Sequence, residues 1–243
     1  MILDIYKDSL EYSAKDWKTL LILGVMCLFS FLFIPIFLVV GYNYRVINTA
    51  VHGIINGKDP LPEFNDLIGM FIDGVKVVIV QIGYLIIPII IFLIFAFIAS
   101  SINSVLSAVI MIIGTLTTLI IGVITCLMTQ MGICHMSYND GSLSKAFAIK
   151  EIKEVIDEIG WFKCILTYLG LIIITIVISS VVTFILGLIF AVFGISGSIL
   201  GASPTGIFAL GVLINIFVSM FLVGPYLSIF NSRSVGLLYT MQI

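Results

Sequence analysis

The sequence predicts an all-α fold: a polytopic integral membrane helix bundle forming one membrane domain over residues 1–243. Three observations predict it. Hydrophobic residues make up 61% of the chain and charged residues 10%, at a mean hydropathy of +1.28, whereas soluble domains carry about 45–50% and about 25%. No Asp, Glu, Lys or Arg occurs over 19–44, 77–139 or 164–232. Inside those intervals the apolar residues run on continuously, without the alternation that a membrane β-barrel requires. A spanning helix takes about 20 residues, so each of the two long intervals holds two spans. The first interval holds one span or something shorter.

Residues 1–18 carry Asp4, Lys7, Asp8, Glu11, Lys15, Asp16 and Lys18, with no small-residue cleavage pattern after the apolar stretch. They do not read as a signal peptide. Their period predicts an amphipathic N-terminal segment on the membrane surface, with Ile2, Ile5, Tyr6 and Tyr12 toward lipid. Residues 19–55 are the first membrane segment. Pro35 removes a helix hydrogen bond in its middle, which leaves two alternatives, a single crossing or a Pro-broken re-entrant hairpin.

The polar stretch "NGKDPLPEFNDLIGMF" (56–71) comes next. Asn65 and Asp66 are natural N-caps for a helix starting near Leu67. Asp59, Glu63, Asp66 and Asp73 read as solvated loop and capping carboxylates, because a metal site needs several converging oxygens. After two spans, "KAFAIKEIKEVIDEIGWF" (145–162) has Phe147, Ile152, Val155, Ile156 and Ile159 on one face. Lys150–Glu154 and Lys153–Asp157 are four-residue pairs on the other. This is a second interfacial amphipathic helix, expected to lie in the headgroup plane. The last two spans are joined by the charge-free run "GISGSILGASPTG" (194–206), expected to be a flexible connection. Pro88 and Pro225 are candidate kinks.

An internal repeat of about 91 residues is expected over 56–132 and 140–231. "DLIGMF" (66–71) returns as "DEIGWF" (157–162). A glycine followed seven positions later by asparagine recurs at Gly41 and Asn48, Gly132 and Asn139, and Gly224 and Asn231. With two crossings per long interval, 45–76, 140–163 and the C-terminus share one side. That side holds eight of the eleven basic residues, so it is expected to be the cytoplasmic face of a cell membrane.

The chemistry of the chain is sparse. Cys27, Cys126, Cys134 and Cys164 show no CxxC spacing and read as small hydrophobes. His52 and His135, with Cys134, lack a third ligand at a zinc-like spacing; no metal or cofactor is expected. A net charge of −2 leaves no footprint for nucleic acid. Arg45 and Arg233, just beyond membrane exits, and the interfacial aromatics Trp17 and Trp161 are candidate lipid-headgroup contacts. Within the spans no ionisable group advertises an ion path. Gln81, Thr175, Ser179, Thr183 and Asn215 make a candidate intramembrane polar face, read first as helix packing.

At "GYNYR" (41–45), "PLPEF" (60–64) and "FIDGVK" (71–76) the chain resembles a family of archaeal polytopic membrane proteins catalogued only as a domain of unknown function. "LLILG" (20–24) and the Pro35 segment resemble the same family. The resemblance implies an integral protein of an archaeal cell membrane and carries over no site residues. Taken together, the expectation is a non-enzymatic membrane-organising or accessory protein, with membrane lipids and a membrane-protein partner or a second copy as partners. The alternative is a transporter or channel for a neutral or lipid-like solute.

Overall fold

A computed structural model describes residues 2–102, 105–199 and 203–242, and among these no strand occurs. The chain runs through α1 (Ile2–Ser13), α2 (Trp17–Leu28), a 3-10 turn (Ser30–Leu32) and α3 (Ile34–Val51). It continues through α4 (Leu67–Ser100), α5 (Val105–Tyr138), α6 (Leu143–Ala146), α7 (Ile149–Ile159) and α8 (Trp161–Ile199). Next come α9 (Pro204–Val218), a π turn (Ser219–Val223) and α10 (Gly224–Tyr239), ending in a 3-10 turn. Among the described residues, five helical stretches are long and apolar enough to cross a membrane: Ile34–Val51, Leu67–Ser100, Val105–Tyr138, Trp161–Ser196 and Thr205–Tyr239. This is the all-α, multi-helix architecture expected of a membrane bundle.

Local chemistry explains most boundaries. Asp66, at φ 46°, caps α4 by accepting the Gly69 N–H, as expected from the sequence. Asp16 caps α2 through Lys18 and Thr19. Phe33, at φ 63°, and Pro35 in the first turn of α3 end one helix and start another. Leu20 and Leu23 of α2 then pack in one cluster with Leu38, Val39 and Tyr42 of α3. α2 and α3 thus lie against each other as a short hairpin with an aromatic tip, Phe29, Phe31 and Phe33, that is exposed. Pro225 has no N–H for the Phe221 carbonyl, and the ladder shifts there so that the Gly224 N–H reaches the Ser219 carbonyl.

Close backbone approach fixes the bundle, most tightly at two places. A Cβ on Gly41 would fall 1.8 Å from the Met70 carbonyl oxygen, and one on Gly74 would fall 2.0 Å from that of Phe37. α3 and α4 therefore cross almost backbone to backbone. A Cβ on Gly24 would stand 2.2 Å from the Phe221 carbonyl oxygen, the acceptor freed by Pro225.

The core lies at the charged end. Met70, Val80, Ile133, Met136, Ile152, Ile156 and Phe230 are fully enclosed there. The far halves of α4, α5 and α8, with α9, expose large apolar side chains: Phe97 at 74%, Val105 at 84%, Phe193 at 60% and Phe208 at 73%. A 34-residue helix rises about 51 Å against a hydrocarbon core of about 30 Å. Each long helix therefore has length for both a packed end and an apolar stretch.

Three expectations are corrected. The apolar face of α1 is turned to protein: Ile5 and Tyr12 are buried, and the Tyr6 hydroxyl donates to the Thr167 carbonyl at 2.8 Å. The apolar face of α7, with Ile152, Val155, Ile156 and Ile159, is likewise buried in the core. An amphipathic period says that a face must leave water; it does not say whether lipid or protein covers it. Lastly, the first part of the expected flexible connection is helical, since α8 continues from Gly194 to Ile199. Gly201, in the same run, and Ser104, in the other far-side connection, lie outside the described residues.

The marker positions of the expected repeat play unequal local parts. Asp66 caps α4, while Asp157, inside α7, accepts from the Trp161 indole N–H of α8. Asn48, Asn139 and Asn231 bond to Ser137, the His135 carbonyl and Thr175 respectively.

Candidate functional site

The charged end holds its polar groups in three arrangements. The first is built around Arg233 on α10, which is 0% exposed. Its Nε donates to Asp8 Oδ1 at 3.0 Å and its Nη2 to Asp59 Oδ2 at 2.8 Å. Its guanidinium carbon lies 4.5 Å from the Tyr12 ring centroid. Asp8 also accepts the Asn56 N–H. The group ties α1, the 52–66 loop and α10 together. Burial pushes the Tyr12 hydroxyl up to about 12, so it stays a donor, and it donates to the Pro60 carbonyl at 2.9 Å. Arg233 was expected at a lipid headgroup. It sits instead inside the protein, because two carboxylates far away in sequence compensate its charge.

The second arrangement is a chain through His135 on α5. One ring nitrogen, Nδ1, lies 2.7 Å from the Tyr239 hydroxyl, and the other, Nε2, lies 2.9 Å from Glu151 Oε2. Lys145 Nζ donates to both Glu151 oxygens at 2.9 and 2.8 Å. The Lys145 bond, with His135 second, holds the Glu151 carboxyl below its usual range. His135 and Tyr239 are both almost fully buried. The chain therefore clamps α7 to α5 and α10 and presents no open nucleophile. Among the described residues no three His, Cys, Asp or Glu side chains are grouped to hold a metal ion.

The third is the loop "PLPEF". The Tyr42 hydroxyl donates to the Pro62 carbonyl at 3.0 Å, and the Tyr42 ring stacks on Phe64 at 4.6 Å. Arg45 donates to the Asn65 carbonyl at 2.6 Å and the Asp66 carbonyl at 3.0 Å. Arg45, the other arginine expected at a headgroup, thus positions this loop. Between the loop and the start of α2 lies an open cavity of about 540 Å³, with Lys15, Lys18 and Ile22 on one wall. Trp17, beside it, is 66% exposed. Trp161 is half-buried and bonded to Asp157.

The expected intramembrane polar face is divided. Thr183 and Asn215 line one groove of about 530 Å³ between α8 and α9, with Gly187, Phe190 and Gly211. Thr175 faces Asn231 at 3.5 Å and lines a different cavity of about 280 Å³ with Gln130 and Tyr168. Ser179 is half-buried on α8 and lines neither. Gln81 is exposed on α4, apart from the others.

Sequence reasoning missed Asp8, Tyr12, Glu151 and Tyr239 as members of the polar groups. Asp8 and Arg233 stand 225 positions apart, and no local pattern announces their meeting. The one available signal was the isolation of "KDPLPEF", which has no counterpart in the second expected repeat.

Residues 25–191 match a family described as "Protein of unknown function (DUF4013)". No curated protein and no solved structure matches the chain.

Proposed function

This chain belongs to the DUF4013 family, and from that premise we propose that it is a non-enzymatic accessory protein of the cell membrane. Its packed, charged end lies at the cytoplasmic headgroup level, and its far helix halves organise lipid or lend surface to a second copy or a membrane-protein partner. The observation that carries this reading is the uneven burial. The charged end encloses Arg233 with Asp8 and His135 with Tyr239, while large apolar side chains along α4, α5, α8 and α9 stand open. In lipid no hydrophobic force drives helices together, so such faces are occupied by acyl chains or by fitted helices. The α2–α3 hairpin supports the re-entrant alternative, because α1 packs on α10 beside Arg233.

A photo-reactive side chain in place of Phe97, and another in place of Leu213, tests the reading in native membranes. The expected outcome is a discrete protein adduct at one of the two positions. Adducts with lipid alone at both would remove the partner, leaving lipid organisation. Cysteine in place of exposed Glu11 should resist a membrane-impermeant reagent in intact cells. Labelling from outside would overturn the hairpin and the orientation together.

One observation favours a second reading, movement of a lipid-like solute. Thr183 and Asn215 line the same α8–α9 groove, and the π turn lies directly after it. Interrupted helices do occur at transporter sites. Reconstituted protein that scrambles fluorescent lipid, with the rate lost in Asn215→Leu, would prefer this reading.

A further inference from the structure

The cavity between the α2 start and "PLPEF" carries unsatisfied charge of both signs beside an apolar track. Lys18 lines it, and among the described residues no carboxylate or carbonyl takes its ammonium group. Lys15 also lines it; its ammonium group uses one donor on the Asp59 carbonyl at 3.0 Å and stands 5.0 Å from the Tyr12 ring centroid. It is therefore partly engaged, and Lys18 is the freer of the two cations. Of the two acidic residues in the wall, Asp16 is spent on capping, with the Thr19 hydroxyl bond its main support, which holds its carboxyl below the usual range. Glu63 has only a long 3.4 Å contact from Asn65. The cavity therefore offers ammonium groups for an anion and one nearly free carboxylate for a cation.

The walls continue into lipid-facing surface. From Lys18, Ile22 and Val25 follow at four- and three-residue spacing along one face of α2, and Phe29 stands at its C-cap, 41%, 46% and 48% exposed. Leu61 and Phe64 form the opposite wall. The loop is held in shape by Tyr12, Tyr42 and Arg45, so the cavity is built before any ligand arrives.

We propose that this cavity binds the headgroup of one phospholipid bearing a primary amine, with the phosphate on Lys18 and Lys15, the amine on Glu63, and an acyl or isoprenoid chain along Ile22, Val25 and Phe29. The proposal rests on the reading of the chain as membrane-embedded and assigns the headgroup contact to residues other than the two arginines. An anionic lipid without an amine leaves Glu63 facing a phosphate, which disfavours it by like charge.

The test is native mass spectrometry of the detergent-purified protein after incubation with phosphatidylethanolamine, phosphatidylglycerol or chain-free glycerophosphoethanolamine. Wild-type protein should retain phosphatidylethanolamine about fivefold better than phosphatidylglycerol, the scale of one partly exposed ion pair. Glu63→Gln should abolish that preference without lowering phosphatidylglycerol retention. Lys18→Gln should lower retention of both lipids about fivefold, while Lys150→Gln on α7 leaves both unchanged. Equal retention of the two lipids by wild-type protein, or no effect of Lys18→Gln and Glu63→Gln, would overturn the proposal. So would binding of chain-free glycerophosphoethanolamine as tight as the lipid, which would mark a site for a soluble solute. The photo-crosslinking above reads a different surface, so a missing protein partner and a missing headgroup preference are separable failures.

Discussion

The two ends of the long helices are built on different rules. Over 67–84 of α4, Met70, Gly74, Val77, Val80 and Tyr84 are buried against α3, α5 and neighbouring elements. Over 85–100 of the same helix only Pro88 and Ala99 are. The change is not one of hydrophobicity, since both halves are apolar. It reflects what the neighbours supply. At the charged end α1, α3, α7 and α10 bring glycines, buried tyrosines and paired charges that let backbones approach. Farther out, α8 packs on α9 and α4 on α5, and large side chains face away from both pairs. Apolar composition places a helix in the membrane; small residues and compensated polar groups decide where it packs.

The sharpest way to break the contrast is at Arg233. Asp8→Ala leaves a 0% exposed guanidinium with Asp59 alone. Removing one partner of a buried pair costs about 3–5 kcal/mol. Thermal unfolding in detergent should move down strongly, and α1 should become the first proteolysed segment. A second change, Arg233→Met in the Asp8→Ala background, should recover part of the loss, because the uncompensated charge goes with it. Unchanged melting of Asp8→Ala would mean that the packed end is not held by this clasp.

Overpacking comes next. Gly41→Leu puts a side chain where the Met70 carbonyl already stands, so α3 and α4 must separate, at about 1–3 kcal/mol. Gly187→Leu on α8, where a Cβ meets nothing within 4 Å, should melt as wild type does. Equal losses at the two glycines would erase the distinction between the ends.

The His135 chain gives a pH-dependent contrast. Glu151 is held below its usual carboxyl value by Lys145 first and His135 second. A lowered folded value means that its contribution is present above about 4.3, the unfolded glutamate value, and is lost as pH falls through the folded value. With Trp17→Phe as background, Trp161 alone reports on the α7–α8 junction, and its emission should change on acidification below that window. Asp157→Asn takes away the carboxylate bonded to the Trp161 indole and, alone, should keep that acid dependence. Glu151→Gln in the Asp157→Asn background should remove it. A transition centred near neutral pH would point to a group other than Glu151.

How much of this was legible follows from the range of each signal. The helices, the Asp66 cap and the Pro35 break are written within a few residues of where they act, and all three are present in the structure. The burial of α1 and α7 was half legible: their period gives the face, but the partner covering it comes from residues tens to hundreds of positions away. Arg233 was misplaced for the same reason. Its neighbours in sequence are unremarkable, and its environment is set by Asp8 and Asp59. The cavity beside "PLPEF" was legible only as an oddity of composition, since its other wall belongs to α2.

The smallest expected effect tests the open end itself. Phe97 on α4 is 74% exposed, and surface substitutions away from special features usually change stability by less than about 0.5 kcal/mol. In dilute detergent, where micelle replaces lipid, Phe97→Ala should therefore melt within experimental error of wild type. Gel filtration at rising protein concentration adds the discriminating half of the experiment. If a second copy covers this face, Phe97→Ala should weaken self-association while leaving the monomer's melting untouched. If lipid covers it, both measurements should stay flat. A marked loss of stability in the dilute monomer would contradict the contrast between the two ends, because it would require Phe97 to be packed within a single chain.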